Sequence, residues 1–140
     1  DGGCSWDFML TSDAGKKIFI RQKDVREVQL ASGAIRAATL ILLKKAGIEI
    51  ENLDAVLVAG GFGNFIRRNN AKRIGLLPQL PDHKIRYVGN TSSEGAREAL
   101  LSQDRMKKAE EIASKTDYVE ISLDPEFQML FAEAMLFPIG

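Results

Sequence analysis

Small and polar residues that follow a short apolar run are the part of this sequence best suited to hold a ligand. The run at 55–59 is Ala-Val-Leu-Val-Ala, and the residues after it, at 60–64, are Gly-Gly-Phe-Gly-Asn. A short run rich in β-branched residues predicts a strand buried on both faces. Glycine allows positive φ angles and lets a backbone approach a bound group closely. Because nucleotides usually bind where such a strand ends in an α/β sheet, the pattern predicts a nucleotide site, with a tight turn that holds no ligand as the alternative.

A second turn of the same kind follows the next predicted strand. Residues 84–88 read as a strand, and Gly89-Asn90-Thr91-Ser92-Ser93 come directly after it. The carboxyl ends of parallel strands meet at one edge of a sheet, so we expect both turns to line one groove. The sequence has neither the G-x-G-x-x-G spacing of dinucleotide-binding folds nor the G-x-x-x-x-G-K-[ST] spacing of phosphate loops. A nucleotide site here would therefore be of another kind.

The composition bounds the function only loosely. The 140 residues fit one domain or one compact half of a larger one. The 19 Lys and Arg residues balance the 19 Asp and Glu residues, so no overall field favours nucleic acid or a membrane surface. No apolar run is long enough to span a bilayer, and a single cysteine, Cys4, with a single histidine, His83, predicts neither a disulfide nor a metal site. These features favour a cytoplasmic protein.

Apolar periodicity predicts strands that alternate with helices. We expect strands at 16–20, 55–59, 84–88 and 118–123, and helices at 24–46, 70–74, 94–101, 105–115 and from 124 onward. For the longest helix, Asp24 is the predicted N-cap with Glu27 as its capping-box partner, and Gly47 is the predicted end. Strands separated by helices imply βαβ units and a largely parallel sheet with helices on its faces. Residues 1–16 are interpreted as a leader or boundary segment.

Several motifs resemble, in the same order, those of one protein family. The strand with the Gly-Gly-Phe-Gly-Asn turn is similar to the adenosine motif of the actin–hexokinase–heat-shock (ASKHA) ATPase superfamily. One subgroup of that superfamily has motifs similar to residues 22–31 (QKDVREVQLA), 73–78 (RIGLLP), 88–90 (VGN), 95–97 (GAR) and 124–127 (DPEF). That subgroup is the carboxy-terminal ATPase region of reductive activators of corrinoid-dependent proteins. The similarity covers roughly residues 17–138.

The resemblance implies an α/β fold, the ribonuclease-H-like lobe of that superfamily, with a mixed sheet and helices on its faces. Residues 17–140 would then be the carboxy-terminal half of an ATPase domain within a larger protein. Members of the family join this region to a 2Fe-2S ferredoxin module, whose cysteine cluster does not occur in this sequence.

The resemblance also implies an ATP-dependent activator. In that family the ferredoxin passes an electron to the cobalt of an inactive Co(II) corrinoid, which is carried by a partner protein of a methyl-transfer system. ATP binding and hydrolysis drive the cycle. The phosphate hairpins that would position Mg²⁺ and the attacking water do not occur in this sequence, so we expect no hydrolysis by this chain alone. The resemblance leaves a homodimer open.

The resemblance assigns adenosine contacts to the first turn. The backbone of Gly60, Gly61 and Gly63 would lie against the ribose and adenine. Asn64 would close the turn by a side-chain hydrogen bond, and Phe62 would either stack on the base or anchor the loop in the core.

Two further sets of residues receive a role in the same way. Gln22, Lys23 and Glu27, at the start of the long helix, would contact adenosine, or else form a solvated first turn with its cap. Gly89, Asn90 and the small residues through Gly95 would belong to a connecting motif that governs how the lobes hinge, or else simply cap the next helix.

One segment departs from the family pattern. Relatives tend to have an acidic residue and a proline after the first turn, whereas this chain has Arg67-Arg68-Asn69-Asn70, followed by Lys72 and Arg73. The segment is either a solvated basic face or an altered surface for a partner or for phosphate groups.

Two other functions stay open from the sequence. The apolar residues at 6–10 and 134–138 would suit a dimerisation or partner-docking module that binds no nucleotide. The chain would also fit half of a small-molecule kinase of the same superfamily. A ferredoxin-type pattern of four cysteines in the preceding sequence would distinguish an activator from a kinase.

Overall fold

The structure is a computed structural model that describes residues 7–13, 16–61 and 65–138. The strands are β1 (Asp7–Asp13), β2 (Lys16–Arg21), β3 (Val56–Ala59) and β4 (Ile85–Gly89). The α-helices are α1 (Gln22–Ala46), α2 (Arg68–Arg73), α3 (Thr91–Leu101), α4 (Gln103–Ser114) and α5 (Phe127–Ala134). Short 3₁₀ turns lie at Ile50–Asn52, Asp82–Lys84 and Ile121–Leu123. Strands and helices alternate after the first hairpin, which confirms the predicted α/β class.

The described strands form two separate sheets of two strands each, rather than one mixed sheet. β3 and β4 are parallel, as predicted. β1 and β2 form an antiparallel hairpin in which Phe8 pairs with Ile20 and Met9 with Phe19. The sequence pattern does not predict β1, because Phe8 and Met9 are followed by Leu10 without the alternation of apolar and polar residues that indicates a strand.

The predicted strand at 118–123 is wrong. The structure has a 3₁₀ turn at Ile121–Leu123, and Glu120 accepts hydrogen bonds from the Ser122 N–H, the Ser122 hydroxyl and the Tyr118 hydroxyl. Local side-chain hydrogen bonds of this kind compete with a strand ladder. None of the described strands pairs with this segment, so the turn prevails.

The longest helix, α1, begins at Gln22, two residues before the predicted start. Asp24 is not the N-cap but the third helical residue, and its carboxylate accepts the Arg21 N–H at 2.9 Å. Glu27 makes no cap hydrogen bond with the described residues, so the predicted capping box of Asp24 with Glu27 is wrong. Gly47 ends the helix with φ 65°, as predicted, because a left-handed residue there directs its N–H to the last carbonyl oxygens.

The main helix contact joins α1 to α5. Gly33 is buried in α1, and a Cβ atom there would lie 3.1 Å from the backbone nitrogen of Met135. Near the end of α1, Lys45 forms an ion pair of 3.0 Å with Asp124. The hydrogen bond from Lys45 holds the pKa of Asp124 below its usual range, so the carboxylate stays charged at this contact. Asp124 precedes α5. This helix begins at Phe127, three residues after the predicted start at Asp124.

The buried apolar core is small among the described residues. Its members are Ala37, Ile41, Ala71, Leu80, Ile85 and Ala134. Large apolar side chains are exposed instead on both sheets, for example Phe8 (69% exposed) on β1 and Leu57 (62%) on β3. The prediction that β3 is buried on both faces is therefore wrong, because no described element covers the face that carries Leu57.

Candidate functional site

The two glycine turns lie side by side at the carboxyl ends of β3 and β4. In the parallel ladder, Val58 pairs with Tyr87 and Ala59 with Gly89. Beyond the ladder, the Gly60 N–H donates to the Gly89 carbonyl oxygen at 2.8 Å. This hydrogen bond holds the first residues of both turns at one edge of the sheet, which is the juxtaposition that the sequence predicts.

Both turns depend on conformations that favour glycine. Gly60 has φ 106° and Gly89 has φ 71°, in the region that residues with a side chain rarely adopt. A Cβ atom built on Gly60, Gly61 or Gly89 meets no described atom within 4 Å. With respect to the described residues, the main chain therefore borders open space at three neighbouring positions, where a bound group can approach it.

Asn90 follows Gly89 and caps α3. Its Oδ1 accepts the Ser93 N–H at 3.2 Å, and the helix begins at Thr91. Helix capping is thus a role that the Asn90 side chain has in this structure. Its amide NH₂ group makes no hydrogen bond with the described residues and is available to a ligand. Contact of Gly89 and Asn90 with a nucleotide stays a prediction.

Three predicted site residues lie outside the described residues. Phe62, Gly63 and Asn64 continue the first turn in the sequence, and the structure describes the chain up to Gly61 and again from Phe65. The expected contacts of these three residues with the base and with the turn stay predictions.

The other predicted adenosine residues lie at the start of α1, next to a separate open cavity of about 540 Å³. The residues that line it are Asp7, Arg21, Gln22, Lys23 and Arg26. Three of these side chains are cations and one, Asp7, is an anion, and they lie near the positive end of the helix dipole. Glu27 is exposed and does not line it. No described residue of the glycine turns lines it either, so the two predicted sets of residues do not share one pocket.

Tyr87 is a structural residue of this region that the sequence reasoning missed. Its hydroxyl donates to the Ile66 carbonyl oxygen at 2.7 Å, which ties the segment after the first turn to β4. The Arg68 guanidinium lies 5.3 Å from the centre of the Tyr87 ring. The available sequence signal is an aromatic residue with a polar end, placed two positions before Gly89.

The described part of the chain contains no group of three or more His, Cys, Asp or Glu side chains that could hold a metal ion. None of its helices combines the length and the apolar character needed to cross a membrane.

The parallel strand pair with its adjoining glycine turns and flanking helices defines an α/β domain with a candidate nucleotide site at the carboxyl ends of its parallel strands. A family model described as "C-terminal domain of RACo the ASKHA domain" matches residues 3–140. The chain belongs to this family, and the resemblance drawn from its motifs is confirmed.

Individual relatives point the same way. The chain is 41% identical over 113 residues to "Corrinoid activation enzyme RamQ" of Eubacterium limosum, covering 81% of this chain and 19% of that protein. It is 40% identical over 101 residues to "[Co(II) methylated amine-specific corrinoid protein] reductase" of Methanosarcina barkeri, covering 72% and 18%. A solved structure named "Reductive activator for corrinoid,iron-sulfur protein" superposes with a TM-score of 0.85 at 36% identity, covering 94% and 22%. The chain thus spans about a fifth of the length of each of these proteins.

Proposed function

We propose that this chain is the nucleotide-binding carboxy-terminal part of an ATP-dependent reductive activator, which returns an inactive Co(II) corrinoid protein to its active reduced state. The observation that carries the proposal is the pair of adjoining glycine turns, whose main chain borders open space at Gly60, Gly61 and Gly89. The names of the relatives support the activator role, since they describe a corrinoid activation enzyme, a reductase of a Co(II) corrinoid protein and a reductive activator.

The proposed nucleotide contacts come mainly from the main chain. A base or a ribose fits against glycines whose Cβ position is empty, whereas a side chain there would intrude. The Asn90 amide adds a donor at the second turn. Contact of Gln22 and Lys23 with adenosine stays a prediction, since these residues line a cavity apart from the glycine turns.

The proposal assigns the redox and metal chemistry to other parts of a full-length protein. One electron reduces Co(II) to Co(I), and a 2Fe-2S ferredoxin module would supply it while ATP hydrolysis makes the unfavourable transfer possible. The described residues offer no ligand set for a metal ion, so neither the iron–sulfur cluster nor Mg²⁺ is assigned to them. The role proposed for this chain is to hold and orient the adenosine end of ATP.

A substitution at Gly61 tests the nucleotide site. In the full-length protein, Gly61→Val should weaken ATP binding about a hundredfold, because the side chain enters the space proposed for the nucleotide. The fold should be unaffected, since a Cβ atom at Gly61 meets no described atom and the residue is not among those with positive φ.

The control is Ala113→Val, which adds apolar bulk at an exposed position of α4. Isothermal titration calorimetry with ATP should give this variant the wild-type affinity. A folded Gly61→Val protein that binds ATP as tightly as wild type would contradict the proposed site.

A second candidate is a docking or dimerisation module that binds no nucleotide. The exposed hairpin favours it, because Phe8, Leu10 and Ile18 are all more than half exposed. Calorimetry of the wild-type protein with ATP distinguishes the nucleotide-binding function from the docking function, since a module that binds no nucleotide would give no heat of binding. The third alternative, half of a small-molecule kinase, is disfavoured by the match to the activator family.

A further inference from the structure

The segment that follows the first glycine turn carries an unbalanced positive charge. Residues 65–73 read Phe-Ile-Arg-Arg-Asn-Asn-Ala-Lys-Arg and contain no acidic residue. Lys72 pairs with Asp82 on the neighbouring 3₁₀ turn. Arg67 and Arg73 form no ion pair with any described residue. The positive charge of these two side chains is therefore uncompensated.

Arg68 is held in place beside them. Its guanidinium lies 5.3 Å from the centre of the Tyr87 ring, and Tyr87 is fixed by its hydrogen bond to Ile66. Stacking on an aromatic ring positions an arginine while the N–H groups at its edge stay free for a carboxylate. The hydrogen bond from Lys72 holds the pKa of Asp82 below its usual range, so Asp82 remains an anion that is committed to Lys72.

The shape of this surface suits a protein better than a small anion. Arg67, Arg68 and Tyr87 line an open groove of about 490 Å³, and Phe65, which is 85% exposed, lines it too. Asp82 is the one acidic residue among the described residues that line the groove, and its carboxylate is paired with Lys72. Arginine, tyrosine and exposed aromatic residues are typical of the central contacts of protein–protein interfaces. An open groove leaves a free phosphate largely in water, whereas a protein surface can cover it and exclude water.

We propose that this basic groove, defined by Phe65, Arg67, Arg68 and Tyr87, docks a carboxylate-rich surface of the corrinoid protein that the full-length protein reduces. The inference rests on the proposed function, which supplies that partner. The two arginines pair with carboxylates, and Phe65 is the apolar anchor. Because Phe65 follows Gly61 by only four positions, the partner docks next to the proposed nucleotide turn.

The experiment measures association of the full-length protein with the two kinds of corrinoid protein that relatives name, the methylated-amine-specific protein and the corrinoid iron–sulfur protein. Arg67→Glu should lower the association rate constant about tenfold at low salt, and the difference from wild type should shrink as salt is added. The variant should stay folded, because Arg67 directly precedes α2, where an acidic residue suits the helix dipole. The control is Lys107→Glu, which reverses an exposed, unpaired cation on α4 and should leave association unchanged.

Phe65→Ala provides an independent test of the apolar anchor. It should raise the dissociation rate constant about tenfold and leave ATP affinity unchanged. Wild-type rates in both groove variants would overturn the docking surface while the proposed function stands. Reduced ATP affinity in Arg67→Glu with unchanged partner binding would overturn it in favour of a phosphate site. Failure of the wild-type protein to bind either corrinoid protein would overturn both the docking surface and the proposed partner.

Discussion

Among single residues, Asp24 has the clearest local role. Its carboxylate accepts the Arg21 N–H at 2.9 Å from the third position of α1. The first N–H groups of a helix have no partner within the helix, and they carry the positive end of its dipole. Asp24 therefore stabilises the start of the helix both by the hydrogen bond and by its charge.

Replacing Asp24 should weaken this start. Asp24→Ala should lower the free energy of unfolding by about 1 kcal/mol, the usual net contribution of one hydrogen bond. Glu27→Ala removes another exposed carboxylate of α1 that makes no cap hydrogen bond, and it should change stability by less than about 0.5 kcal/mol. Chemical denaturation of both variants and of the wild type measures these free energies of unfolding. Equal effects of the two changes would show that charge alone, and not the hydrogen bond, matters here.

At the scale of elements, the contact between α1 and α5 depends on one small residue. A Cβ atom on Gly33 would lie 3.1 Å from the Met135 nitrogen and 3.2 Å from its Cα atom. Backbone atoms do not move aside as the end of a flexible side chain does, so the two helices would have to separate to admit a methyl group. Close packing thus accounts for a glycine inside a helix, where alanine is otherwise preferred.

Two alanine substitutions separate packing from helix propensity. Gly33→Ala should destabilise the protein by about 1–3 kcal/mol, the usual cost of overpacking. Gly95→Ala, in α3 where a Cβ atom meets open space, should stabilise it by roughly 0.5–1 kcal/mol. Thermal unfolding of the two variants should therefore shift the midpoint in opposite directions. A Gly33→Ala protein at least as stable as wild type would mean that the helices can separate at no cost.

At the scale of the whole molecule, the described chain leaves much apolar surface uncovered. Phe8 is 69% exposed, Leu57 62% and Leu100 85%, and they belong to three different elements. The nucleotide site is open in the same way, since only the glycine turns border it among the described residues.

The 140-residue chain by itself should not hydrolyse ATP. Hydrolysis needs an ordered Mg²⁺, a positioned water and stabilisation of charge at the γ-phosphate. The described residues offer no metal-binding cluster, and the sequence contains no phosphate loop. Contact on one side of the nucleotide should give only about millimolar affinity, near −4 kcal/mol.

Calorimetry with ATP measures the affinity of the purified chain for the nucleotide, and a phosphate-release assay measures its hydrolysis rate. A mock-purified sample is the control. Steady, magnesium-dependent turnover above that control would show that the catalytic groups lie within this chain.

Short-range patterns in the sequence determined much of the architecture. The long helix α1 and its end at Gly47, the parallel strands β3 and β4, and the glycine turns after them all lie where the sequence predicts, within a few residues. Each depends on neighbours close along the chain, through periodicity, capping or the conformational freedom of glycine. A single sequence therefore specifies them.

Only the tertiary structure decided which distant segments meet. The apolar start of β1 forms a strand because β2 pairs with it. The alternating residues at 118–123 have no partner among the described strands and form a turn. Gln22 and Lys23 line a cavity apart from the glycine turns, and Arg68 stacks on Tyr87, although no local pattern indicates either arrangement. The physical reason is that strand pairing and side-chain contact between elements depend on how the elements pack, and the same local alternation is compatible with more than one outcome.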